Sequence, residues 1–203
     1  DERDKDVANA IWYATDNGAR VINMSFGKSF SPGKKYVDEA IQYAASKDVL
    51  IVHASGNDAS NIDESPNYPY PVYLSSGTRE PAWIEVGAIS SSGDAASFSN
   101  YGPKTVDVFA PGVKIYSTLP GGVYDFQNGT SMAAPVVTGV AAMIRSYYPT
   151  LKATEIRQII MESSIKMPIK TIRPGSKKKK VKFKKLCSSA GIVNAYRALK
   201  AAD

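Results

Sequence analysis

A serine hydroxyl at the mouth of a helix is a candidate nucleophile, and Asn128-Gly129-Thr130-Ser131-Met132-Ala133-Ala134-Pro135 offers one. Gly129 makes a short polar turn. An apolar run with Val136, Val137, Val140, Ala141, Met143 and Ile144 at helical spacings follows. Ser131 then sits where unpaired backbone N–H groups and the positive end of the helix dipole converge. Pro135 fits the first turn, where its missing N–H removes no intrahelical bond. Taken alone, Ser131 or Thr130 reads first as an ordinary N-cap. Acyl transfer by a serine also needs a base, a carboxylate to orient that base, and donors for the oxyanion.

The elements that would hold such a site follow in order. Val7, Ala10, Ile11 and Ala14 form a helical stripe that stops near Asn17-Gly18. A short apolar strand, Ala19 to Gly27, comes next, and the helix-to-strand step suggests a buried parallel strand. Val37, Ala40, Ile41, Ala44 and Ala45 mark an amphipathic helix. A second buried strand runs from Asp48 into the polar loop Gly56-Asn57-Asp58. Its His53 is the chain's single histidine, and its place inside an apolar strand makes it a hydrogen-bonded structural residue and not the base. Further strands are expected over Trp83–Ile89 and Val106–Val113, with a hairpin through Ile115–Thr118 and Gly122–Asp125. Thr150 is expected to cap a helix through Glu155, Ile156, Ile159 and Ile160, and a last helix to span Ile192–Lys200.

The octet around Ser131 resembles the nucleophile motif of the subtilisin-like serine peptidases, Gly-Thr-Ser-Met-Ala-x-Pro, at every fixed position. Val21 to Gly27 is similar to the family's Val-Ile-Asn-Met-Ser-Leu-Gly, with Phe26 in the leucine position. The resemblance implies that Ser25, Phe26 and Gly27 pair with substrate backbone, a form of β-augmentation. Ala54-Ser55-Gly56-Asn57 resembles the family's strand to Ala-Gly-Asn. It implies that Asn57 donates to the oxyanion and that Ala54, Ser55 and Gly56 border the substrate. Asn67-Tyr68-Pro69 resembles the segment lining the pocket for the side chain before the scissile bond, which implies a cis bond before Pro69. Ala96 to Gly102 and Asp107 to Val113 match family scaffold motifs, and Gly191-Ile192-Val193-Asn194-Ala195 its closing segment.

The implied fold is α/β: a three-layer subtilisin-like fold with a mostly parallel sheet between helices and its N-terminal part missing. The family's Asp and His motifs would precede Asp1, so the chain is expected to begin within a domain and to be inactive alone. Residues 1–203 are read as a partial peptidase domain, with 165–186 a basic β-ribbon insertion. The expected partners are a protein or peptide substrate, the missing N-terminal part, and further copies of the chain through exposed apolar surface. Secretion or a cell-envelope location follows from the resemblance. No cofactor or metal site is assigned. Two other functions stay open: a pseudo-peptidase binding or scaffold module, and a polyanion-binding protein.

Composition sets limits on these readings. The 203 residues are 43% hydrophobic, enough for a substantial core. No apolar run reaches the length of a membrane span. Cys187 stands alone, so no internal disulfide forms. The net charge of +6 is local. Residues 166–185 hold ten Lys and Arg and no acid, leaving 15 of the 25 basic residues against 19 acidic ones, a net of −4. Val181 and Phe183 alternate there with Lys180, Lys182 and Lys184, the pattern of a ribbon with an apolar inner face and a lysine outer face. Nucleic acid is disfavoured, because arginine clusters and aromatic residues are missing from the lysine face.

Overall fold

The computed structural model describes residues 3–203. Helix α1 (Asp4–Asp16) and helix α2 (Lys34–Ser46) pack on each other through Val7, Ala8 and Ile11 against Val37, Ala40, Ile41 and Ala44. Strands β1 (Val21–Met24), β2 (Leu50–Ala54), β3 (Trp83–Ile89) and β4 (Val108–Pro111) run parallel, each beside the next. A hairpin, β5 (Ile115–Leu119) and β6 (Val123–Gln127), leads into α3 (Thr130–Tyr147), and α4 (Ala153–Ser163) follows. Strand β7 (Ile165–Lys166) forms the antiparallel edge of the main sheet, while β8 (Lys170–Ile172) and β9 (Lys180–Lys182) make a separate ribbon. Strand β10 (Gly191–Ile192) lies between β4 and β7, and α5 (Ala195–Ala202) closes the chain.

Strand alternation builds three layers. Leu50, Val52, Ala54, Ile84, Val86 and Val108 face α3, α4 and α5. Ile51 and Trp83 face α1 and α2 on the other side, with Met24 and Val49. Strands β2 and β3 are buried along their whole length, which is why they read as near-continuous apolar runs. This is the expected α/β arrangement of a mostly parallel sheet between helices. Strand β1 is half-buried at the outer edge of the sheet.

Two helix boundaries differ from expectation. Thr150 does not cap α4; the helix begins at Ala153, and Glu155 accepts the Lys152 N–H at 2.7 Å. The Ala153 N–H is met by Asp48 Oδ1 at 2.7 Å, a partner 105 residues away that no local pattern announces. Burial alone would raise the Asp48 carboxyl, but the Ala153 N–H and Arg145 outweigh it and hold it below the usual range. Helix α5 starts at Ala195, because Gly191 and Ile192 are taken into the sheet and Asn194 caps the helix by accepting the Arg197 N–H.

Candidate active site

The end of β1 carries Ser25 to the start of α3. Ser131 Oγ donates to the Ser25 carbonyl at 3.2 Å, and Ser25 Oγ donates back to the Ser131 carbonyl at 2.9 Å. Asn23 Nδ2 holds Ser25 Oγ in place at 2.8 Å. The candidate nucleophile and the candidate substrate-pairing edge are thus in direct contact.

Thr130, fully buried, joins the helix start to the loop after β2. Its N–H and its hydroxyl both donate to Asn57 Oδ1, at 2.9 and 3.0 Å, while its oxygen accepts the Gly56 N–H at 3.1 Å. With its amide oxygen held, Asn57 turns its NH2 group outward, with no partner among the described residues. A Cβ placed on Gly129 would stand 3.5 Å from both Asn57 Nδ2 and the Ser131 nitrogen, so both donors border one space. Gly129 has φ 156° and ψ 160°, a conformation that side chains disfavour. The hairpin β5–β6 is tied to this turn by Gly129 N–H on the Gly112 carbonyl and Lys114 N–H on Asn128 Oδ1.

Gly27 and the Ala54–Gly56 segment form two rails, and Asn67 lies between them. Its side chain, 8% exposed, donates to the Ala54 carbonyl at 3.3 Å. A Cβ on Gly27 would come within 2.5 Å of Asn67 Nδ2, and one on Gly56 within 3.2 Å of it. Asn100 supports the second rail by donating to the Ser55 carbonyl and accepting the N–H groups of Asp58 and Ser60. The Tyr68–Pro69 bond is cis, as expected, and Lys28 and Tyr68 exchange backbone hydrogen bonds. A cavity of about 790 Å³ opens beyond Asn67, lined among others by Gly27, Ser29, Asp58, Ser60 and Tyr68. Ser131 and Asn57 lie outside its lining.

His53 is indeed structural. Its Nδ1 meets Glu85 Oε1 at 2.9 Å and its Nε2 donates to the Phe26 carbonyl at 2.8 Å. Glu85 also accepts from Trp83 Nε1 at 2.7 Å. The carbonyl of Phe26 is therefore fixed from the core, between its neighbours Ser25 and Gly27. Sequence reading missed Thr130 as the clamp and Glu85 as the partner of His53. The signal for the second was a polar residue at the same height in each of two apolar strands, His53 and Glu85 being in register. Among the described residues no cluster of His, Cys, Asp and Glu could hold a metal ion, and no helix is long and apolar enough to cross a membrane.

The chain is similar in sequence to known subtilisins and in fold to solved proteases. The chain is 40% identical over 151 residues to subtilisin DY of Bacillus licheniformis, covering 74% of this chain and 52% of that one. It is 41% identical over 151 residues to subtilisin E of Bacillus subtilis (strain 168), covering 74% and 37%. The chain thus spans about half, or less, of the length of these curated relatives. Among solved structures, the prenylagaramide maturation protease PagA superposes over 100% of this chain and 69% of its own, with a TM-score of 0.80 and 26% identity. A protease of Pseudoalteromonas arctica PAMC 21717 covers 98% of this chain and 59% of its own, at a TM-score of 0.77 and 31% identity. The subtilase family profile matches residues 2–194, a span that takes in the Ser131 turn, the Asn57 loop and the β1 edge together, and the chain belongs to that family.

Proposed function

We propose that this chain carries the nucleophile, the oxyanion donors and the substrate-binding edges of a subtilisin-type serine endopeptidase. The observation that supports this most directly is the Thr130 clamp. It commits the oxygen of Asn57 and leaves its NH2 beside the Ser131 N–H. Ser131 Oγ attacks the scissile carbonyl carbon and its proton passes to a general base. The oxyanion accepts hydrogen bonds from Asn57 Nδ2 and the Ser131 N–H. The base returns the proton to the leaving amine, and water then hydrolyses the acyl ester on Ser131. Ser25–Gly27 and Ala54–Gly56 pair with the peptide on either side, with Asn67 as the floor between them.

The base is not His53, whose two ring nitrogens are both engaged in the core. We assign the base and its carboxylate to sequence outside these 203 residues. The chain alone is then expected to turn over substrate about 10⁶-fold more slowly, the scale on which subtilisin suffers from loss of its triad histidine. We place the activity outside the cytoplasm, secreted or at the cell envelope, on family resemblance. The half-buried β1 edge and the apolar side chains Val136 and Met143, exposed on α3, are where the remaining part of the domain, or a second copy, would pack.

The test is a fluorophosphonate probe applied to the full-length gene product and to its Ser131→Ala variant. Labelling that disappears in the variant is the expected result. A well-folded full-length protein that stays unlabelled would overturn the reading in favour of a binding or scaffold module.

A further inference from the structure

The lysine ribbon is anchored from below and bare above. Thr171 is buried, donating to Asp94 Oδ1 at 3.1 Å and accepting the Ala95 N–H at 3.1 Å. At the turn, the Gly175 N–H donates to the Ser97 carbonyl, and a Cβ on Gly175 would stand 3.2 Å from Ala59, two residues beyond Asn57. Lys180 and Lys182 on β9, Lys177, Lys178 and Lys179 in the turn before it, and Lys184 and Lys185 in the 3-10 turn after it are all exposed. None of them has an ion-pair partner among the described residues. Same-face neighbours such as Lys180 and Lys182 stand about 7 Å apart at strand spacing, inside a Debye length of about 8 Å. Their mutual repulsion is not offset by any acid of the segment.

Beside the ribbon lies a cavity of about 400 Å³ lined by Asn61, Glu64, Tyr101, Arg173, Lys179 and Lys185, among others. The Arg173 guanidinium stacks 6.0 Å from the Tyr101 ring centre, and its Nε is buried without a hydrogen-bond partner. The one carboxylate of this lining, Glu64, already accepts from Asn61 Nδ2 at 2.6 Å. Arg173 also belongs to the cavity lining, where an anionic acceptor would form a charge-assisted bond with the guanidinium.

We propose that the ribbon and the Arg173 cavity form a docking surface for an acidic polypeptide segment, one that the substrate carries outside the stretch being cut. The assignment to substrate rests on the peptidase reading; the docking itself does not. Two observations favour a peptide over nucleic acid. Phe183, the one aromatic residue of the segment, is buried, and the one ring of the cavity, Tyr101, is half-buried with Arg173 over its face, so the lysines have no free row of rings for base stacking. The loop Asn57–Pro66 also separates this cavity from the one beside Asn67: Asn61 and Glu64 face the first, Asp58, Ser60, Ser65 and Pro66 the second. A polypeptide in the active groove and an acidic segment on the lysines would then lie on the two sides of this one loop.

The binding test uses fluorescence anisotropy of a labelled octaglutamate peptide with the full-length gene product at low salt. Saturable binding that weakens with salt is expected. A Lys178→Gln, Lys180→Gln, Lys182→Gln triple variant, and separately Arg173→Gln, should weaken it at least about tenfold without changing the circular dichroism melt. No saturable binding, or equal binding by the triple variant, would overturn the proposal. So would a single-stranded oligonucleotide of equal charge that binds as tightly, which would assign the surface to nucleic acid. In the full-length gene product, an octaglutamate extension on a peptide substrate should raise kcat/KM at least about tenfold over an octaglutamine extension, through effective concentration. That gain should vanish in the triple variant while cleavage of the octaglutamine substrate is unchanged. Binding without the gain overturns the substrate assignment. Cleavage of neither substrate overturns the peptidase reading and leaves the docking result standing.

Discussion

His53 Nδ1 lies 2.9 Å from Glu85 Oε1 at the centre of the sheet, with the two side chains 0% and 1% exposed. The Phe26 carbonyl can only accept, so His53 Nε2 carries a hydrogen. The contact between Nδ1 and Glu85 then holds a single proton bonded to one partner and accepted by the other. Phe26 is the middle residue of the Ser25–Gly27 edge, so a pair buried in the core sets the direction of a backbone group at the site.

Removing one member of this pair strands the other. His53→Ala should cost about 3–5 kcal/mol, because Glu85 keeps only its Trp83 partner in the core. The double variant His53→Ala, Glu85→Ala should cost clearly less than the two single changes added together. Urea unfolding of all four proteins closes the cycle. Additive losses would show that the two side chains are not coupled.

Asn57→Ala removes the free NH2 and also the Oδ1 that accepts from Thr130, while the Asn100 bond to Ser55 and the Gly56 bond to Thr130 still hold the loop. In subtilisin, loss of one oxyanion donor lowers turnover about 10²–10³-fold, and the same scale is expected here by resemblance. The full-length gene product should show the drop in kcat with KM little changed. A KM effect at constant kcat would make Asn57 a ground-state binding residue instead.

Much of this arrangement was legible because it is local. Glycine, polar and apolar residues around Ser131 specify a turn and a helix, and β2 and β3 declare themselves as buried parallel strands. What was not legible depends on partners distant in sequence. Asp48 caps α4 from 105 residues away, and Thr130 reaches Asn57 across 73 residues. Thr130 read as a plain N-cap, since nothing in its own neighbourhood reports a second bond to the Asn57 loop. Glu85 was passed over because β3 reads as apolar, and only the register with His53 gives it a partner.

Cys187 supplies a test of the core beneath β4. Burial pushes its thiol up to about 11, with Gly191 and Ser189 only partly opposing the shift. The folded state therefore keeps its proton after an exposed thiol has lost it. The associated stability is complete below the ordinary thiol range, near pH 8.5–9, and is lost as pH rises toward 11, at about 1.4 kcal/mol per pH unit. Cys187→Ala should flatten the fall in urea midpoint between about pH 9 and 11. An unchanged slope would place its origin in other groups. Iodoacetamide should modify the native thiol only at the rate of unfolding.

In the proposed peptidase, Asn67 sets how deep a substrate side chain can enter between the two rails. Its amide occupies the gap between Gly27 and Gly56, and beyond it lies the cavity of about 790 Å³. The full-length gene product should therefore favour small or short side chains before the scissile bond. Asn67→Gly should join slot and cavity and raise kcat/KM for a leucine or phenylalanine substrate, relative to alanine, by about 10–200-fold, the range that apolar pocket contacts supply. Asn67→Leu, which refills the gap without the amide, should keep the restriction. Fluorophosphonate labelling of Ser131 should be the same in all three proteins, because the small probe does not need the slot. An unchanged side-chain preference in a normally labelled Asn67→Gly protein would show that the floor of the pocket lies elsewhere.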